Sequence, residues 1–129
     1  MVRIVGTKNG TYRDIPLHPQ LKEIGLLKFI DSAAPGPLFY SEKDQKGRGA
    51  QSQSEKLAKW VRAIGITDER VQPNHGWRHR FTTKARAVGI DHEKREYILG
   101  HTLPSLGSVY GDMAGLYQEV VKLPRYEVA

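Results

Sequence analysis

Apolar residues along this chain recur first with a period of two and then with the period of a helix. Val2, Ile4 and Val5 stand around Arg3, Tyr12 to Leu17 forms a second short extended run, and Asn9-Gly10 lies between the two. Asn-Gly between such runs is a strong hairpin signal, because both residues tolerate the positive φ of a tight turn. A β-hairpin is expected there, with Lys8 beside its turn and Pro16 at a strand end or edge. From Pro19 the period changes. Leu21, Ile24, Leu27 and Ile30 predict a helix to about Ser32, weakened at Gly25 and stopped by Pro35-Gly36-Pro37. Leu38-Phe39-Tyr40 follows as a short apolar plug.

The polar stretch from Ser41 to Gln53 reads as a loop carrying Lys43, Lys46 and Arg48. Ser54 is the expected N-cap of a helix. Its stripe of Leu57, Trp60, Val61 and Ile64 predicts a buried face with Trp60 in the core, and Gly65 stands just past its end. Pro73 and Asn74 precede another helix with Trp77, Phe81, Ala85 and Val88 on its buried stripe, ended by Gly89. Asp91 caps a shorter helix that runs to Leu99 and stops at Gly100. Ser105 to Tyr110 is a further short helical stretch, and Met113 to Leu123 is amphipathic, with Leu116, Val120 and Leu123 on one stripe before Pro124. The expected fold class is α+β, mostly helical with a small N-terminal β-hairpin, in a single domain over residues 1–129.

Composition narrows the partners more than it narrows the fold. The 129 residues carry 20 Lys plus Arg against 14 Asp plus Glu, a formal charge of +6 that favours a polyanion, nucleic acid before an anionic membrane surface. No apolar run approaches the ~20 residues that cross a bilayer, and polar residues interrupt the N-terminus at once, so no membrane role and no signal peptide are expected. Cysteine is absent, which excludes disulfides and thiolate metal sites and fits a reducing interior.

Candidate chemistry gathers between His75 and Tyr110. Pro73-Asn74-His75-Gly76-Trp77-Arg78-His79-Arg80-Phe81 resembles the His-x-x-Arg box of the tyrosine recombinases, the phage-type integrases in particular. Leu99-Gly100-His101 resembles their Leu-Gly-His box, and Tyr110 follows His101 by nine residues, where the family places its nucleophile. Thr7-Lys8-Asn9-Gly10, followed by Arg13 to Pro16, resembles the hairpin that carries the family's catalytic lysine. The four matches keep the family's order and span nearly the whole chain.

The residue types suit that chemistry. Transesterification at a phosphodiester needs a nucleophile, a charge clamp on the non-bridging oxygens, and a proton for the leaving oxygen. The Tyr110 phenol can attack, and the Arg78 guanidinium fork suits phosphate at a helix start that already favours an anion. His101 can donate to the other oxygen, His75 can move a proton to or from the tyrosine, and Lys8 can protonate the departing 5′ oxygen. The resemblance implies a 3′-phosphotyrosine intermediate, site-specific DNA recombination or integration without metal or other cofactor, and double-stranded DNA as partner. It further implies the cytoplasm of a bacterial or phage-infected cell. Lys46, Arg48 and Arg80 are candidate DNA contacts. The C-terminal amphipathic stripe could pack on its own domain or dock on a neighbouring protomer in a homo-oligomer.

One box of the family has no match. No segment resembles the Gly-x-Arg-x-x-Glu type stretch that carries its first arginine. The chain is therefore expected to be the C-terminal part of an integrase catalytic domain, with weak or no recombination alone. A non-catalytic DNA-binding remnant of an integrase is the alternative. A metal-dependent hydrolase is a second one, since His75 and His79 have the i, i+4 spacing of helix-borne ligands and His92 or His101 could be a third. The glutamate of the His-Glu-x-x-His pattern is replaced by Gly76.

Overall fold

The computed structural model describes residues 1–4, 12–40, 48–101 and 112–127. The expected Asn9-Gly10 turn, most of the 41–53 loop and the 105–110 helix lie outside them. The described elements are β1 (Val2–Ile4), β2 (Arg13–Ile15), α1 (Pro19–Glu23), α2 (Leu26–Ser32), α3 (Gly49–Ala63), α4 (Pro73–Ala87), α5 (His92–Leu99) and α6 (Met113–Val120). The fold class is α+β as expected, mostly helical with one two-stranded antiparallel sheet. The chain divides into two compact units, Met1–Leu26 with Phe81–Ala129, and Leu27–Arg80, so the boundaries fall at the first residue of α2 and within α4.

In the first unit β1 and β2 pair in the register Val2↔Ile15, Arg3↔Asp14 and Ile4↔Arg13. Arg3 holds the carboxylate directly opposite it through two bonds of 2.7 and 2.8 Å and lies over the Tyr12 ring at 4.3 Å. The strand pair is thus fixed by its side chains as well as its ladder. The Arg3 hydrogen bonds hold the Asp14 carboxyl below its ordinary pKa. β2 ends at Ile15 because Pro16 has no N–H to continue the ladder. His18 then caps α1. Its Nδ1 accepts from the Gln20 N–H at 3.2 Å, so Nε2 carries the proton and donates to the Leu123 carbonyl at 3.2 Å. Arg125 pairs with Glu23, and the Tyr126 N–H donates to Gln20 at 2.9 Å, which seats the C-terminal segment on α1.

The buried side chains of this unit include Leu17, Ala85, Ile90, Tyr97, Leu99, Leu116 and Val120, with Tyr97 and Leu116 packed together against Ile98. The apolar stripe of α6 is therefore covered within its own unit. Polar tethers hold the same elements in place. Asp112 caps α6 through the Gly115 N–H, and its carboxylate meets Lys94 of α5 at 3.4 Å. Glu119 accepts from the Asp91 N–H at 3.1 Å, and Lys122 donates to the Gly89 carbonyl at 3.3 Å, so α6 grips the turn between α4 and α5. Asp91 caps α5 as expected, its side chain accepting from the Lys94 N–H.

The described residues depart from the periodic reading in three places. The helix expected over residues 19–32 breaks into α1 and α2 at Gly25, whose φ of 94° has no place in a right-handed helix. α3 begins at Gly49, so residues 49–53 are helical and not loop, and Ser54 is an interior residue whose hydroxyl and carbonyl accept from Asn74. The ring of Tyr40 lies where a Cβ on Gly49 would stand, 2.6 Å from one ring carbon, so glycine lets the helix start against that ring. Finally, the expected core face of α3 is mostly open. Val61 is 3% exposed, but Trp60 is 54% exposed and Leu57 and Ile64 are similar. Trp77 on α4, expected on a buried stripe, is also more than half exposed. Arg62 shapes the segment after α3, donating to the carbonyls of Ile66, Asp68 and Val71 at 2.8, 2.8 and 2.6 Å.

Candidate functional site

α5 ends in a turn that fixes His101 twice. Gly100 takes φ 75°, ψ 27°, the left-handed conformation that reverses the chain after a helix. The Gly100 N–H bonds the Tyr97 carbonyl and the His101 N–H bonds the Glu96 carbonyl, both at 3.0 Å. This pair of bonds brings His101 back over the last turn of α5. There its Nδ1 meets the Glu96 carboxylate at 2.5 Å. The contact leaves Nε2 as the ring nitrogen for a ligand on a side chain that is 51% exposed. The His101 hydrogen bond, with help from Arg95, holds the Glu96 carboxyl below its ordinary pKa against the opposing effect of burial. Arg95 is itself buried and reaches the same carboxylate at 3.3 Å.

The hairpin joins this turn. The buried Tyr97 hydroxyl accepts from the Asp14 N–H at 3.2 Å, which ties β2 to α5. The Arg13 guanidinium lies on the Gly100 backbone. A Cβ added to Gly100 would stand 2.6 Å from its Cζ and 2.8 Å from Nη2. Arg13 and Glu96 were not among the expected site residues. Glu96 is legible in retrospect: a glycine-terminated helix returns the residue after the glycine to the carbonyl five positions back. Arg13 had no comparable signal.

The remaining expected residues belong to other elements. His75 and Arg78 share the first turns of α4 with Arg80, all on the second unit. His75 is exposed and its ring meets that of His79 edge-on, with centroids 4.7 Å apart. Both histidines line an open depression of ≈ 550 Å³ with Arg70, Val71, Gln72 and Gly76. Arg48 is the exposed residue before α3, and its side chain makes no cap. His92 opens α5, and no group of three potential metal ligands occurs among the described residues. Lys8, Lys46 and Tyr110 lie outside the described residues. No described helix is long and apolar enough to cross a membrane.

Comparisons with protein-family models, with curated proteins and with solved structures find no match to this chain.

Proposed function

We propose that this chain is the C-terminal part of a tyrosine-recombinase catalytic domain that cuts and rejoins double-stranded DNA through Tyr110. In this reading the Tyr110 oxygen attacks phosphorus, forming a 3′-phosphotyrosine bond as the bond to O5′ breaks. Lys8 gives its proton to O5′, Arg78 and His101 hold the non-bridging oxygens, and His75 accepts the phenolic proton. The phosphotyrosine bond preserves the phosphodiester's energy for rejoining.

The observation that carries the reading is the Asp14–Tyr97 bond. It joins the hairpin strand to the helix that ends in Leu99-Gly100-His101, two of the boxes that the chemistry needs beside one phosphate. His101 donates Nδ1–H to Glu96, which fixes the ring, and as an imidazolium it donates from Nε2 to an oxyanion. Protomer pairing remains part of the proposal, through the exposed Tyr117 and Val121 side of α6, since the Leu116–Val120 stripe is covered.

A nicked suicide DNA substrate tests the proposal. Because the first arginine box has no match, a low yield of covalent protein–DNA adduct is expected, and none from Tyr110→Phe. Binding that falls steeply with salt while no adduct forms would favour the second reading, a non-catalytic DNA-binding remnant.

A further inference from the structure

We propose that Arg13 is an anion-binding residue, holding a phosphate oxyanion at the Gly100–His101 turn. The inference deepens the recombinase reading and rests on it for one point, that the phosphate belongs to a DNA backbone.

Three observations converge on Arg13. Its Nε is buried and has no hydrogen-bond partner. Its guanidinium lies against Gly100, so that a side chain there would have to displace it. And the carboxylates of Asp14 on β2 and Glu96 on α5 are engaged elsewhere. Asp14 is held bidentately by Arg3, and Glu96 is shared by His101 and Arg95. No ion pair to Arg13 occurs among the described residues.

A buried guanidinium donor without an acceptor is costly, and buried polar groups are nearly always satisfied, so one left open calls for an explanation. The plain alternative is a structural cation that satisfies the carbonyl end of α5. The Glu96 and Tyr97 carbonyls already accept from His101 and Gly100, however, and the Arg13 Nε reaches no carbonyl. An oxyanion would supply the missing acceptor and the missing countercharge together, and the planar guanidinium is shaped for phosphate. His101 follows Gly100 directly, and its Nε2, left over by Glu96, is a second donor on the same turn when the ring is the imidazolium.

The Arg13 Nε–H crosspeak in a ¹H–¹⁵N spectrum of the full chain reports on the site. It is titrated separately with inorganic phosphate and with a 20-base-pair DNA duplex. The crosspeak is expected to move saturably with both, and duplex affinity to fall about tenfold in Arg13→Gln. Arg13→Lys keeps the charge and lacks the Nε donor. It should lose most of that affinity while the salt dependence of binding stays nearly unchanged. Movement with inorganic phosphate but not with duplex supports the anion site, assigns it to free phosphate, and counts against the DNA reading alone. A crosspeak that neither probe moves overturns the proposal, and a lowered melting temperature in both variants would then identify Arg13 as a structural cation. Should Arg13→Gln fail to fold, the wild-type crosspeak and Arg13→Lys decide the matter.

Discussion

Val120 on α6 and Ile64 at the end of α3 each belong to an apolar stripe of helical period, yet Val120 is buried and Ile64 is half exposed. The difference lies in what reaches across to each helix. In the first unit, bonds between residues far apart in sequence hold α6 against its neighbours: His18 to Leu123, Lys122 to Gly89, Asp91 to Glu119. In the second unit the long-range side-chain bonds among the described residues are those of Asn74 to Ser54, while Arg62 serves only the segment just after its own helix. An amphipathic stripe specifies a face. Whether that face is covered depends on chain elsewhere, and the two units show both outcomes.

Truncating one buried and one open apolar side chain is the strongest test of this contrast. Leu116→Ala should cost about 2–5 kcal/mol, since Leu116 is 1% exposed and the site is packed by Tyr97. Trp60→Ala removes a larger side chain from a half-exposed position and should cost under about 1 kcal/mol. Urea unfolding of both variants measures the difference. Equal losses would mean that Trp60 is as well covered in solution as Leu116, and the contrast would fail.

The same contrast explains what could be read from the residues. Helix ends were legible because their cause is local. Gly65, Gly89 and Gly100 all take positive φ just past a helix, and Asp91 caps α5 with its own side chain. The strand pair was legible for the same reason. Burial of Trp60 and Trp77 was not, because the period of a stripe says nothing about its cover. Nor was the start of α3, where Gly49 and Arg48 look like loop residues and Tyr40 accommodates the glycine from outside the helix. In the candidate site, His101 was named from its box. Its holder Glu96 follows from backbone geometry that the glycine sets, and Arg13 required knowing where β2 lands on α5.

Glycine replacement gives a smaller effect and separates conformation from contact. Gly65 and Gly100 both take positive φ, but a Cβ at Gly65 meets nothing within 4 Å, whereas one at Gly100 strikes the Arg13 guanidinium. Gly65→Ala should cost about 1–2 kcal/mol for the left-handed conformation alone. Gly100→Ala should cost more than Gly65→Ala and should also shift the Arg13 Nε–H crosspeak. Identical losses, with that crosspeak unmoved, would show that the Arg13 contact does not constrain Gly100.

The smallest expected effect is electrostatic and depends on pH. The Glu96 carboxyl sits below its ordinary value of 4.5 in the folded chain, chiefly through the His101 hydrogen bond. A depressed carboxyl stabilises the fold at pH values above the unfolded one, and the contribution fades as pH falls through the folded value. Glu96→Gln should therefore lower stability at pH 7 by about 1 kcal/mol, a modest figure because His101 is half exposed to solvent screening. The gap between variant and wild type should close below pH 4.5. In the second unit, Arg70 likewise holds Asp68 below its ordinary value, but on an exposed pair between residues two apart. Asp68→Asn should leave the acid limb of stability where it was. Urea midpoints measured from pH 7 down to pH 3 compare the two. If the Glu96→Gln deficit held constant across that range, its cause would be packing rather than the carboxylate's charge, and the charge of Glu96 would not be what holds His101 on the turn.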